Sequence, residues 1–169
     1  MNTAEILQDG FGRVVESVER TLDGLDEVQL THRPTADANS IAWLVWHLTR
    51  VQDDHLAAAF DVEQVYTTQG FAQQFGECFD HDPSDTGYGH DSQQVAAVRA
   101  PAELLQEYLG AVHAQTVALV ADVSGDDLDR VVDERWDPPV TLGVRLVSVL
   151  DDDLEHAGQA AYLRGIVPA

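Results

Sequence analysis

Residues 39–48, Asn39-Ser40-Ile41-Ala42-Trp43-Leu44-Val45-Trp46-His47-Leu48, decide how this chain folds. Ser40 is a favoured N-cap, because its hydroxyl can accept from backbone N–H groups that the first turn of a helix leaves free. Behind it, Ile41, Leu44, Val45 and Leu48 recur at helical spacing and share a face with Gln52. The pattern predicts a buried helix that ends near Phe60. His47 falls on the flank of its apolar stripe, near Val51 and Asp54. His55 lies closer to the stripe, two turns further on.

The same period recurs elsewhere. Before the quoted stretch, Ile6, Val14, Val18, Leu22 and Leu25 predict a helix from Ala4 to Leu25, with Gly10 and Gly12 weakening its first turns. A connector follows to Asn39, in which Leu25, Val28 and Leu30 are expected to tuck against the core. After Phe60, residues 61–100 are irregular, with Gly70, Gly76, Pro83, Gly87 and Gly89. A short helical piece is expected between Gln64 and Phe75, and Ser92–Val98 leads into the next helix. That helix opens at Pro101 and carries Leu104, Leu105, Tyr108, Val112, Gln115, Leu119 and Val120. Val131, Val132 and Trp136 suggest a brief extended segment closed by Pro138 and Pro139. Thr141 caps a last helix whose core side is Leu142, Leu146, Val147, Val149, Leu150, Leu154, Ala157, Ala161 and Leu163, closed by Gly165 and Pro168. Four long amphipathic helices, with a long irregular connection between the second and third, make an all-α four-helix bundle the expected fold.

A chain of 169 residues suits one domain, here residues 1–169. Thirty acidic residues against nine basic ones, all arginine, give a formal charge of −21. Phosphate contacts need clustered cations, so nucleic acid and anionic membrane surfaces are excluded as partners. No apolar run nears the roughly 20 residues that span a bilayer. Glu5, Asp9, Glu16 and Glu19 do not suit a secretory leader, so a cytoplasmic location is expected. Cys78 is the single cysteine, which rules out an internal disulfide and a cysteine-based zinc site.

The last helix carries Asp151-Asp152-Asp153-Leu154-Glu155-His156-Ala157-Gly158-Gln159. Asp152 and His156 are four residues apart and lie one turn apart on the same side of a helix. A carboxylate and an imidazole so placed can grip one divalent cation, with His47 on another helix as a third ligand. The donor set suits zinc, and also nickel, manganese or iron. The same spacing also describes a solvated acidic patch beside an ordinary histidine. Asp153, three residues before His156, is an alternative carboxylate. His55 reads as a hydrogen-bonded structural histidine, and His81 and His90 as exposed histidines of the connector. Trp43, Trp46 and Trp136 read as core or interface anchors, Gln159 and Arg164 as packing or helix-ending residues, and Cys78 as inert.

Together, residues 39–48 and Asp152-x-x-x-His156-Ala157-Gly158-Gln159 resemble the DinB-like superfamily. That group includes YfiT-like metal-dependent hydrolases, bacillithiol transferases and mycothiol-dependent maleylpyruvate isomerases. The resemblance runs from the first helix to Arg164. It implies that His47 and His156 are the first and last metal ligands and that Asp152 stands where many members carry a middle histidine. Ala157 replaces a common arginine. The resemblance further implies a metal-dependent enzyme that presents a low-molecular-weight thiol, of mycothiol type, to a small electrophilic substrate, working as a homodimer. A hydrolase using metal-bound water and a non-catalytic binding or stress-associated protein are the alternatives.

Overall fold

Each of the four expected long helices forms, and local chemistry sets its ends. The computed structural model describes residues 1–168. Helix α1 (Thr3–Leu22) starts at a capping box, in which Asn2 accepts from the Glu5 N–H and Glu5 accepts from the Asn2 N–H, both at 2.9 Å. A single turn, α2 (Glu27–Leu30), interrupts the first connector. Helix α3 (Ile41–Phe60) is capped as expected, with the Ser40 hydroxyl accepting from the Trp43 N–H at 3.1 Å. The irregular connection contains three short helices, α4 (Val65–Thr68), α5 (Phe71–Cys78) and α6 (Ser92–Ala97). Helix α7 (Ala102–Val120) follows, then a 3-10 turn (Gly125–Asp129) and a small antiparallel pair, β1 (Val131–Asp133) and β2 (Val140–Thr141). Helix α8 (Leu142–Arg164) closes the chain.

The long helices form an all-α four-helix bundle in which α3 packs on α8 and α7, and α1 packs on the same two. One end of the core gathers Leu7, Phe11, Leu56, Val120, Leu142 and Leu146. The larger part holds Val14, Leu22, Ile41, Leu44, Leu48, Tyr108 and Ala157. Each Val, Leu, Ile or Phe among them, fully buried, is worth about 1.5–3 kcal/mol relative to exposure. Gly10, expected to weaken α1, lets it approach α8 closely: a Cβ there would lie 2.8 Å from a Leu150 methyl.

Sequence periodicity assigned some side chains to the wrong face. Ile6, Val28, Val147 and Leu154 were expected inside but are exposed. Helical spacing permits neighbouring stripes, and only the packing partners choose between them. Conversely, α3 buries charge. Arg50 and Asp53 pair at 3.7 Å inside the bundle with almost no exposure. The Asp53 carboxylate accepts from the Tyr108 hydroxyl and from the N–H groups of Val65 and Tyr66 at the start of α4. Arg50 lies over the Tyr66 ring and donates to Gln64, to Tyr108 and to the carbonyl of Asp85. A buried ion pair persists when further hydrogen bonds satisfy most of both partners, as here, where Arg50 Nη2 is the one group of the pair left without a partner. Here those bonds also tie the irregular connection onto α3, which brings residues 85–90 beside His47.

Candidate metal centre

His47 is buried on α3 with its ring stacked on the Trp43 indole, centroids 4.5 Å apart and planes 16° from parallel. Its Nδ1 faces the carbonyl oxygen of Thr86 at 2.5 Å. A carbonyl only accepts, so Nδ1 carries the proton and Nε2 is left as the free lone pair. Burial pushes the His47 imidazole below its ordinary pKa, and the neighbouring His156 adds to this, although Thr86 and Asp152 oppose it. The neutral ring, which is the ligand form, is therefore favoured.

Helix α8 supplies the other groups. His156 Nε2 is 3.6 Å from Asp152 Oδ1, one turn back. The Nδ1 of His156 lies 3.0 Å from Gln159 Oε1, so Gln159 orients this ring as Thr86 orients the other. The two imidazoles meet edge to face at 5.0 Å. One ligand atom each from His47, Asp152 and His156 lies within 4.8 Å of the other two. Metal–ligand bonds of about 2.0–2.2 Å require neighbouring ligand atoms roughly 3.4 Å apart, so modest side-chain rotation closes the gap. Asp152 Oδ2 is buried with no hydrogen-bond partner, as a carboxylate oxygen reserved for a cation would be. The donor set and this orphaned oxygen fit a divalent metal.

Asp153 lies apart from this cluster. It is completely buried, and neither of its carboxylate oxygens has a partner. Burial, with Asp152 adjacent, pushes its carboxyl well above the usual range. Of the two aspartates, Asp152 is the one brought to the histidines.

Several groups that sequence reasoning passed over surround the cluster. His90, expected to be exposed, is nearly buried, and so reverses that expectation. Its Nδ1 accepts from the Trp43 indole N–H at 3.0 Å, and its Nε2 donates to Asp85 at 2.6 Å. The other Asp85 oxygen accepts from the Gly87 N–H. His81 is also engaged, with the Tyr66 hydroxyl. Gly87 has φ +90°, and a Cβ on it would meet His47 Nδ1 at 2.8 Å. The segment from Asp85 to His90 therefore forms a cover over His47 and its stacked tryptophan. The Asp85-x-Gly87 spacing is a turn signal, but nothing in the sequence says which helix the turn lies on.

A cleft of about 500 Å³ opens beside the cluster and includes His47, Asp152, Val51, His55 and Ser148 in its lining. His55 is half exposed there and bonds to Asp54 at 3.1 Å. Trp136 was read as a core or interface anchor. It is 65% exposed and stands on this cleft, and Tyr88 from the cover does the same. Asp133 holds both Arg135 and Arg145 on the cleft wall. Its hydrogen bonds to Arg135, together with the charge of Arg145, keep its carboxyl far below the ordinary carboxylate range. Arg164 donates to the Thr21 carbonyl, which fits its expected role at the end of α8.

Among the described residues, no helix is long and apolar enough to cross a membrane. No curated protein matches the chain. A conserved protein from Enterococcus faecalis with a known crystal structure is 30% identical. The match covers 99% of this chain and 98% of that one, with a TM-score of 0.89. A family model described as mycothiol-S-transferase matches residues 6–168, nearly the whole length. With that match added to the bundle and its inward-facing histidines, the chain belongs to the mycothiol S-transferase family.

Proposed function

We propose that this protein is a metal-dependent transferase that joins a low-molecular-weight thiol, of the mycothiol type its family's name specifies, to a small electrophile. His47, Asp152 and His156 hold a divalent cation, zinc first among the candidates, with nickel, manganese or iron also suited to the donor set. The observation that carries this reading is the convergence of two imidazoles, each with its Nδ1 engaged, on a carboxylate with an orphaned buried oxygen. A cation bound there lowers the pKa of a thiol, so that the nucleophile is a thiolate at neutral pH.

The chain's own groups do the rest. Thr86 and Gln159 fix the two ring orientations, which keeps both Nε2 lone pairs aimed inward. Trp43 covers one face of His47 and excludes water from it. His47 and Asp152 also line the cleft, where the two reactants would meet, and a cation held by three protein ligands would have room for one of them. We further propose a cytoplasmic homodimer. Light scattering at micromolar concentration tests the dimer, and a monomer there refutes it.

The decisive experiment is elemental analysis of protein purified without a histidine tag, beside a thiol-conjugation assay. One equivalent of metal per site is expected, with metal and turnover both lost in His47→Ala. Absence of stoichiometric metal, or full activity in His47→Ala, refutes the reading.

A further inference from the structure

Two of the nine cations in a chain of charge −21 lie on the cleft beside the candidate metal centre. They are Arg135, whose side chain is 87% exposed, and Arg145, 15% exposed. Both donate to one carboxylate. Asp133 Oδ1 accepts from the Arg135 N–H and Nε–H, and Oδ2 accepts from an Nη2–H of each arginine. Both guanidiniums share the one carboxylate of Asp133, and the other carboxylate on the cleft, Asp152, belongs to the candidate metal centre. Asp133 has no further capacity, whereas Arg145 makes no second hydrogen bond among the described residues. Asp133 is nearly buried and Arg145 already serves it as a partner, whereas a cation as exposed as Arg135 adds little to stability, so pairing alone is a weak reason for placing this second scarce cation here. Beside them, Trp136 and Tyr88 expose large aromatic surfaces, 65% and 91%, on the same cleft.

Guanidinium donors match a carboxylate in charge and geometry, and exposed aromatic faces suit a flat apolar body. We propose that this cleft is a carboxylate-binding site, in which Arg145 and Arg135 receive the anionic group of a planar reactant that lies against Trp136 and Tyr88. The binding stands on these residues alone. Only the identification of the ligand as a reactant rests on the transferase reading above. The same chemistry would serve a carboxylate carried by the electrophile or by the thiol.

Benzoate and its neutral isostere benzamide are suitable probes, titrated by NMR and by tryptophan fluorescence. Both the protein as purified and protein stripped of metal with phenanthroline are measured, because a cation could itself bind a carboxylate. Benzoate is expected to bind at least about tenfold tighter than benzamide, a difference of about 1.4 kcal/mol. The preference should persist without metal and shrink in Arg145→Gln and in Arg135→Gln. The second variant leaves the Asp133–Arg145 pair in place, so it tests the site even if the first fails to fold. Equal binding of the two probes, a preference present only with metal, or one unchanged in Arg135→Gln overturns the proposal.

A kinetic arm locates the anion. Conjugation rates are compared for 4-(chloromethyl)benzoate against its amide, and for 3-mercaptopropionate against its amide. Preference for the acid in the first pair assigns the carboxylate to the electrophile, and in the second pair to the thiol. Turnover with no preference in either pair overturns the proposal. No turnover with any pair, while benzoate still binds, refutes the transferase reading and leaves the carboxylate site standing.

Discussion

Replacing Gly87 with alanine should loosen the candidate metal centre through a residue that is not one of its proposed ligands. Gly87 sits at φ +90°, where an L side chain costs about 1–2 kcal/mol. Its new Cβ would also stand 2.8 Å from His47 Nδ1 and 3.0 Å from the Trp46 ring. Both neighbours are buried and cannot swing away, so the cover must lift. Lifting it draws the Thr86 carbonyl away from His47. The total cost is about 2–3 kcal/mol, which for a chain of this size lowers Tm by roughly 4–12 °C. Loss of an outer-sphere partner of a metal-binding histidine weakens affinity roughly 10–100-fold. Gly89→Ala is the control, because Gly89 shares the left-handed conformation, at φ +78°, but a Cβ there meets nothing within 4 Å. It should lose only the backbone share, about 1–2 kcal/mol, and bind metal normally. Calorimetry gives the Tm values, and competition with a chromophoric chelator gives the affinities. If the two alanine variants match in both measurements, contact between the cover and His47 does not organise the site.

Two further substitutions test the surroundings of the centre. His90→Phe keeps an aromatic ring beside Trp46 but leaves the Trp43 indole N–H without its acceptor, at a cost of about 1–3 kcal/mol. Urea titration should show this as a lower midpoint with an unchanged m value, and an unchanged midpoint would count against the network. Asp153→Asn should stabilise the metal-free protein increasingly as pH rises. The folded carboxyl titrates above its unfolded value because burial penalises its charge, so its contribution is complete below about pH 4 and is lost as pH rises toward the folded pKa. Within that window, the wild type should fall behind the variant by about 1.4 kcal/mol per pH unit in denaturant titrations. A pH-independent difference between them would mean that Asp153 is solvated or paired.

The distance over which each interaction acts in the chain explains what was legible in the sequence. A capped helix is a local object, so Ser40, Thr141 and the apolar spacing behind them were enough to place α3 and α8. Asp152 and His156 were readable as a pair because a helix turns a spacing of four residues into proximity. His47 was a candidate third ligand by residue type alone, and only the resemblance assigned it that place, since no local rule aims α3 at α8. Residues 61–100 were less legible for the same reason. Their course is set by contacts 35 to 39 residues apart, in which Arg50 holds the Asp85 carbonyl and His47 holds that of Thr86. Backbone carbonyls leave no signature in a sequence, and Arg50 on an apolar helix could as readily have reached solvent. Burying a guanidinium is costly unless most of its donors are met, and here Nε and Nη1 of Arg50 are met by Asp85, Gln64 and Tyr108 while Nη2 has no partner, so its burial marks a junction between these segments. In this chain that junction joins the bundle, which supplies the candidate ligands, to the loop that orients one of them. A change at Arg50, which is not itself a candidate ligand, should therefore register first in the geometry of His47.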